Sequence, residues 1–593
     1  MSPLLLLFLS SSTLLPYISA QLTPSPTYTP PTASAGLASS TSTPNTQWSN
    51  VLGNSLYFYD AQRSGRLNEG TYGNRVEWRN DSALQDGQDY NLDLTGGFYD
   101  AGDYIKATFP LTFTLFALAW GALTHGQGYD QAQQTAYLDG TLRWGYDWLI
   151  KAHPSDDVLF VQVGSGDVDN GYWGGDENIP TPRPAYPVNS SSPGTDAWSS
   201  AAAAFALGSM LYNPSLTYNL TSTSSPPTSP SLANSTYSSL LLSHARSLYS
   251  IANSTETKST YYQTLGEEVS AYASSNWQDD LTLSALSLAL ATNQSSYYRD
   301  AYNGYVSYAL SGMQQVWNWD SAIPAIYVMF AEIAVTRPGL ALEVGLETNL
   351  TGWRNETEHY FDGIIEGNFK RFYLTKGGLL YIDGDSDEAS LNPAMAIAML
   401  MFRYAPIASS QEKTDQYNAF AHSQLEYMLG NNPMNAVYMV GSHPNSPQNP
   451  HSAPASGGTD LLHIRTSPPT EANILYGAMV GGPLANDRFW DWRDDWVQTE
   501  IALDYNAMIP TLAAMQLLNQ TSDPYYVQVQ AGTYSIPSGQ PCDAALPCGG
   551  GLSKGAKAGI AIGVIFGVLF ILAGILFWKR RKISHWWQKG YRR

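Results

Sequence analysis

Ala197-Trp-Ser-Ser-Ala-Ala-Ala-Ala-Phe-Ala-Leu-Gly-Ser-Met-Leu-Tyr212 is apolar on almost every face of a helix, and so is Leu391-Asn-Pro-Ala-Met-Ala-Ile-Ala-Met-Leu-Met401. A helix that is apolar all round is buried among other elements and does not lie on a surface. Two such segments, far apart in the chain, predict inner helices of one large all-helical fold. Working outward, apolar residues recur at three-to-four spacing near 47–64, 106–124, 131–152, 235–251, 277–291, 296–314, 319–335, 357–370, 412–429 and 498–518. Stretches rich in Gly, Asp and aromatic residues separate them at 65–105, 154–194 and 430–497. Loops of that length in a compact domain are usually functional. The pattern predicts a double ring of helices with a cleft built by loops.

Composition narrows the partners. The 593 residues carry 30 Lys+Arg against 50 Asp+Glu, a net charge of −20, with 39 Tyr and 17 Trp. Phosphate binding needs a basic face, so the acidic balance argues against nucleic acid. A hydrophobic fraction of 44% excludes a disordered acidic chain. The charge is uneven: residues 554–593 hold nine basic side chains and no acid, which leaves 21 basic against 50 acidic residues elsewhere.

That asymmetry has a membrane reading. Ala558 to Trp578 is uncharged and long enough to span a bilayer core, and Lys579, Arg580, Arg581 and Lys582 follow at once. The positive-inside rule places the tail 579–593 in the cytoplasm and the N-terminal bulk outside. Gly559, Gly563 and Gly567 are spaced as in paired membrane helices. Residues 1–20 read as a secretory signal peptide. Residues 21–46, mostly Ser, Thr and Pro, read as a stalk, and 214–233 as a surface insert. Residues 521–557 read as a juxtamembrane stem, in which Cys542 and Cys548 are placed to close a small loop. Nine Asn-x-Ser/Thr sequons predict a glycoprotein. The expectation is a single-pass membrane protein with an extracellular catalytic domain over 47–520.

Gly96-Gly-Phe-Tyr-Asp100-Ala-Gly-Asp103 sets two aspartates three apart across an Ala-Gly pair, just before a helix. Crowded carboxylates can hold a water and take its proton. The plainer alternative is that Asp103 caps the next helix. Phe489-Trp-Asp491-Trp-Arg-Asp-Asp-Trp-Val-Gln-Thr-Glu500 places a glutamate among aromatics, where it is predicted to open a long apolar helix. Burial and nearby aspartates raise such a carboxyl toward neutral pH, as a general acid requires. Paired acids on distant loops, with aromatic rings to stack on sugars, fit glycoside hydrolysis.

The chain resembles glycoside hydrolase family 9, the endoglucanases, in a membrane-anchored form like fungal members. The likeness runs through Leu142-Arg-Trp-Gly-Tyr-Asp-Trp-Leu-Ile-Lys-Ala-His153, Val161-Gln-Val-Gly164, Trp173, Glu177, Pro193-Gly-Thr-Asp196, Asp279-Asp280-Leu281, Trp319-Asp320, Gly377-Gly-Leu379 and Leu429-Gly-Asn-Asn-Pro433. It implies an (α/α)6 barrel and an inverting mechanism on β-1,4-glucan, with no redox or nucleotide cofactor. It places Asp103 at the base, Asp100 at the partner that also holds the water, Glu500 at the general acid and Asp491 at a supporting acid. Tyr505 and His451 fall at substrate-contacting positions, and Trp173 and Trp319 at sugar-stacking positions.

Three positions depart from the family pattern. His451-Ser452-Ala453 replaces His-His-Arg, Asp169-Asn170 replaces Asp-His, and Thr499 replaces an Asn. They bear on subsite preference, so a mixed-linkage or other β-glucan is an alternative substrate. A catalytically weak glucan-binding cell-wall protein on the same fold is the other reading. Some family members bind calcium, and Asp383-Gly-Asp385-Ser-Asp387-Glu388 resembles the start of a calcium loop but lacks its later Gly and Glu.

Overall fold

A computed structural model of the chain describes residues 21–69, 73–215, 218–220, 230–519 and 522–548. Among them are twelve helices of eleven or more residues. They are α1 (Thr46–Ala61), α2 (Thr108–Gln131), α3 (Thr135–Ala152), α4 (Thr195–Leu211), α5 (Ser235–Ser254), α6 (Gln278–Thr292), α7 (Ser295–Ser307), α8 (Ile323–Thr336), α9 (Leu350–Ile365), α10 (Leu391–Tyr404), α11 (Gln411–Met428) and α12 (Ile509–Asn519). From α2 onward, the helices buried almost throughout (α2, α4, α6, α8, α10 and α12) alternate with others, of which α5, α7, α9 and α11 keep a solvent face. Helix α4 packs on α2, α5 and α6, α8 on α9, α10 on α11, and α12 on α1 and α2. This is the double ring predicted from the two all-apolar segments, which form α4 and α10.

Local signals set the helix ends. The Asn45 side chain accepts from the backbone N–H of Gln47 at 2.9 Å and of Trp48 at 3.1 Å, satisfying two donors at the start of α1. Inside the ring, Arg403 of α10 forms a buried ion pair with Glu332 of α8 at 2.5 Å. Glu332 also accepts from Trp120 of α2 at 3.1 Å and Tyr218 at 2.8 Å, so three inner helices share one charged node. Removing one partner of such a pair typically costs about 3–5 kcal/mol. The predicted insert 214–233 therefore contributes Tyr218 to the core.

The long loops are fastened by buried ion pairs. Asp86 meets Lys106 at 2.7 Å and Arg183 at 2.8 Å, and Arg79 meets Asp176 at 2.7 Å. These contacts lock 65–105 against 154–194. Strand β1 (Lys106–Ala107) pairs antiparallel with β2 (Leu159–Val163), which pairs with β3 (Ala185–Val188), in the same region.

Two expectations change. The 498–518 helix is broken into Trp496–Thr499, Leu503–Asn506 and α12, and Glu500 lies extended between the first two. Its carbonyl accepts from Gly481 at 2.9 Å, and its strand-like stretch runs parallel to His451. Both contacts need extended backbone. Residues 21–46 are expected to be a stalk, but 21–45 strap the helical body and Thr46 opens α1. Leu22 N–H donates to Asp139 at 2.8 Å, Tyr28 O–H to Asn54 at 2.6 Å, and Ser40 N–H to Asp523 at 3.0 Å.

The chain divides into two units, Met1–Gly539 and Gln540–Arg593. In the second, Cys542 and Cys548 form a disulfide. Among the described residues, no helix is long and apolar enough to cross a membrane. This corrects the expectation of a membrane-anchored protein with an extracellular catalytic domain and a cytoplasmic tail. The segments that carried it, 1–20, 558–578 and 579–593, lie outside the described residues.

Candidate active site

Asp100 and Asp103 lie on the bend that leads into β1 and α2. The cap position of α2 is Ala107, with no side-chain cap bond, so Asp103 does not cap that helix. The bend is held from both sides. Asp100 N–H donates to the Ile105 carbonyl at 3.0 Å, and its own carbonyl accepts from Leu503 N–H at 2.9 Å. Gly102 is required by close approach: a Cβ there would stand 2.0 Å from the His451 carbonyl oxygen.

The second acid arrives on a neighbouring strand. Ala453 N–H donates to the Gly102 carbonyl at 2.7 Å, and His451 N–H donates to the Thr499 carbonyl at 2.8 Å. The segment 451–453 is thus a rung between the Asp100–Asp103 bend and Glu500. The His451 ring donates from Nδ1 to the Arg493 carbonyl at 2.7 Å, because a carbonyl can only accept. Burial keeps this imidazole below its ordinary pKa, so it is neutral with Nε2 as an acceptor.

The carboxyls polarise one another. Burial pushes Glu500 up to about 8, with smaller contributions from Asp504 and Glu388. Asp100 is raised by burial, then by Asp504 and Glu500, against a bond from Tyr272. The Tyr272 hydroxyl donates to one Asp100 oxygen, while the other oxygen is buried without a protein partner. Asp103 is raised by burial, then by the charges of Asp169, Glu500 and Asp100, and it also hydrogen-bonds Asp169. One Asp103 oxygen is likewise buried and unpartnered. These two oxygens supply acceptor sites for a water, and Glu500, pushed up to about 8, is suited to hold a proton at neutral pH, because the repulsion that raises all three acids keeps them from ionising together. That is the equipment for acid–base cleavage of a glycosidic bond.

The other expected residues are sorted by the structure. Tyr505 is raised by burial and by Glu500, Asp504 and Asp100, which places it against the acidic group. Trp319 is half-buried and meets Tyr272 edge-on at 5.1 Å. Trp173 is only 5% exposed, packed with Tyr99, Tyr104 and Ala453, and 4.9 Å from the His451 ring. Ala453 thus joins an apolar cluster where the family pattern puts a cation. Asp491 does not share partners with the acidic group. Its oxygens accept from the backbone N–H groups of Gln448 at 2.7 Å and Asn449 at 3.0 Å, holding the loop that leads to His451.

Sequence reading missed three contributors. Asp169 stood inside a quoted motif and Asp504 four residues after Glu500, and their acidity beside Trp173 and Glu500 was the available signal. Tyr272, on a short 3-10 turn (Gly266–Tyr272), had none. The carboxylates of 383–387 are engaged by protein donors: Asp387 accepts from Tyr381 at 2.9 Å, and Asp385 pairs with Arg371. Among the described residues, no group of three or more His, Cys, Asp or Glu is placed to hold a metal ion.

An α/α helical barrel that brings Glu500 beside Asp100 and Asp103 has the make-up of a glycoside hydrolase. Residues 48–513 match the model of glycosyl hydrolase family 9, and the chain belongs to that family. It is 36% identical over 465 residues to Endoglucanase A of Bacillus pumilus, covering 77% of this chain and 64% of that protein. It is 31% identical to Endoglucanase 18 of Oryza sativa, covering 78% of this chain and 87% of that one. The structure of the endoglucanase from the termite Nasutitermes takasagoensis superposes with a TM-score of 0.68 at 33% identity, over 79% of this chain and 98% of that one. The cellulase Cel9M of C. cellulolyticum, in complex with cellobiose, gives 0.66 at 27% identity, over 79% and 98%. These relatives are bacterial, plant and insect proteins, and they do not support the finer likeness to membrane-anchored fungal members.

Proposed function

We propose that this chain is an inverting endo-β-1,4-glucanase acting on cellulose or a related β-glucan. The observation that carries the reading is the rung 451–453, which sets a protonated Glu500 across from Asp100 and Asp103 with their unpartnered oxygens. Glu500 donates its proton to the glycosidic oxygen as the bond to the anomeric carbon breaks. Asp103, with Asp100 orienting the same water, takes a proton as the water oxygen bonds to that carbon from the opposite face. Configuration inverts, and no covalent sugar–enzyme intermediate forms. His451 Nε2, Tyr505 and the Trp319 ring are assigned to the sugar, and Asp491 to holding the His451 loop. The endoglucanase relatives and the cellobiose complex of Cel9M support the substrate class. Residues 47–520 are assigned as the catalytic domain.

The test is release of reducing ends from soluble cellulose derivatives by the full chain, with Asp103→Asn and Glu500→Gln beside it. Each variant is expected to lose at least about a hundredfold in rate, the usual contribution of a general acid or base. Equal activity in all three refutes the mechanism. Glucan binding without hydrolysis in the parent marks a binding protein instead. Product anomers read by NMR must show inversion. A panel of lichenan, xyloglucan and xylan decides whether another β-glucan is preferred.

A further inference from the structure

A second cavity lies behind the catalytic bend, with a volume of about 560 Å³, within the range of pockets that hold small ligands. Gly96 and Gly97 form part of its wall, and none of Asp100, Asp103 or Glu500 does. Its floor is apolar and aromatic, made by Trp144, Trp148 and Leu240.

The charges on its wall nearly all cancel within the protein. Lys151 pairs with Asp93 at 2.9 Å, Arg66 with Glu69 at 3.4 Å, and Arg143 with the buried Asp139 at 2.8 Å. An ionic ligand would find no uncompensated partner there. What the wall offers is an indole ring and hydrogen-bonding edges. Trp144 is half-buried, with the Arg63 guanidinium 4.6 Å from its ring centre. Asp147 accepts from the Tyr237 hydroxyl at 2.8 Å, and the charges of Arg143 and Lys151 on the same helix act on it. An indole beside a carboxyl, in a charge-balanced cleft, suits a neutral polyhydroxylated ring.

We propose that this cavity binds a short β-1,4-linked gluco-oligosaccharide at a second site, separate from the catalytic cleft. Choosing a β-glucan over another neutral glycan rests on the proposed activity. The site is coupled to catalysis by position. Trp144 Nε1 donates to the Gly97 carbonyl at 2.8 Å, Trp148 Nε1 to Leu94 at 2.9 Å, and Lys151 to Thr95 at 2.9 Å. An occupant resting on these side chains bears on the segment that reaches Asp100 three residues later, so released product can steady the bend that made it.

The test uses the full chain carrying Glu500→Gln, titrated with cellotriose by calorimetry. Two classes of site are expected. Adding Leu240→Trp, which fills the floor, should remove one class and leave the other. Adding Asp147→Asn in its place should weaken that class by about tenfold, the value of one hydrogen bond to a charged group. Protection of 93–98 from hydrogen exchange at saturating cellotriose should vanish with Leu240→Trp. A single class of site, unaffected by either substitution, overturns the proposal. So does equal binding of maltotriose at the second class. Hydrolysis by the parent chain is measured alongside: activity with only one class of site overturns this site alone, whereas no hydrolysis overturns the proposed activity.

Discussion

Gly102→Ala tests how the acid and the base are held together. A Cβ at this position would stand 2.0 Å from the His451 carbonyl oxygen, whereas a relaxed contact needs roughly 3 Å or more. One of two segments must therefore move by about 1 Å. If the bend moves, Asp100 and Asp103 move with it. If the rung moves, the shift passes through the 2.8 Å bond from His451 to Thr499 into Glu500. Either displacement changes the span between acid and base. A misplacement of about 1 Å can cost on the order of a hundredfold in rate, or about 2.7 kcal/mol of barrier. The assay is kcat on a soluble cellulose derivative, with thermal unfolding measured on the same preparation. Gly339→Ala is the control, because a Cβ at Gly339 meets nothing within 4 Å. A folded Gly102→Ala protein within threefold of the parent kcat would refute the idea that this crossing sets the catalytic span.

Other outcomes follow from the electrostatics. Glu500 is pushed up to about 8, so the proposed activity should fall as pH rises through about 8. Asp504→Asn removes a negative neighbour and should move that limb of the kcat/KM profile to lower pH. Tyr272→Phe removes the hydroxyl bonded to Asp100 but keeps the ring against Trp319. It should lower kcat by roughly tenfold to a hundredfold with little change in KM, the worth of a hydrogen bond to a charged group. Asp196 is buried and pushed up to about 7, so folding favours its protonated form. Its contribution is fully present below pH ~4 and is lost as pH rises to about 7, a loss of about 4 kcal/mol. Asp196→Asn should therefore show a shallower fall in Tm between pH 4 and 7 than the parent.

The barrel was legible because its inner helices must be apolar all round, a pattern that α4 and α10 carry without ambiguity. The bend was legible for a related reason: Gly and Ala between Asp100 and Asp103 make sense only where other backbone crowds in. The helix through Glu500 was misread because apolar spacing continues across its breaks. Pro510, at the second position of α12, was the overlooked sign of a new helix start. Composition misled at 21–45, where Ser, Thr and Pro suggested a free stalk. What ties the segment down is side-chain to backbone bonding and the Tyr28 ring, neither of which composition reports. The resemblance places Trp173 at a sugar-stacking position, and it does not report that the ring closes an apolar cluster with Ala453. Tyr272 reaches Asp100 across 172 residues of chain, a pairing that no local pattern encodes.

The strap along α1 has a topological consequence. Asp523 accepts from Ser40 N–H at 3.0 Å and from the Asn45 side chain at 2.9 Å, so the chain enters and leaves the barrel at one spot. A ring of helices whose entry and exit touch can be cut elsewhere and rejoined there. A circular permutant that links these ends and opens at the exposed turn Ser311–Gly312 should keep every rung of the catalytic centre. The same adjacency means that the strap before Ser40 and the segment after Asp523 diverge over the barrel from a shared port.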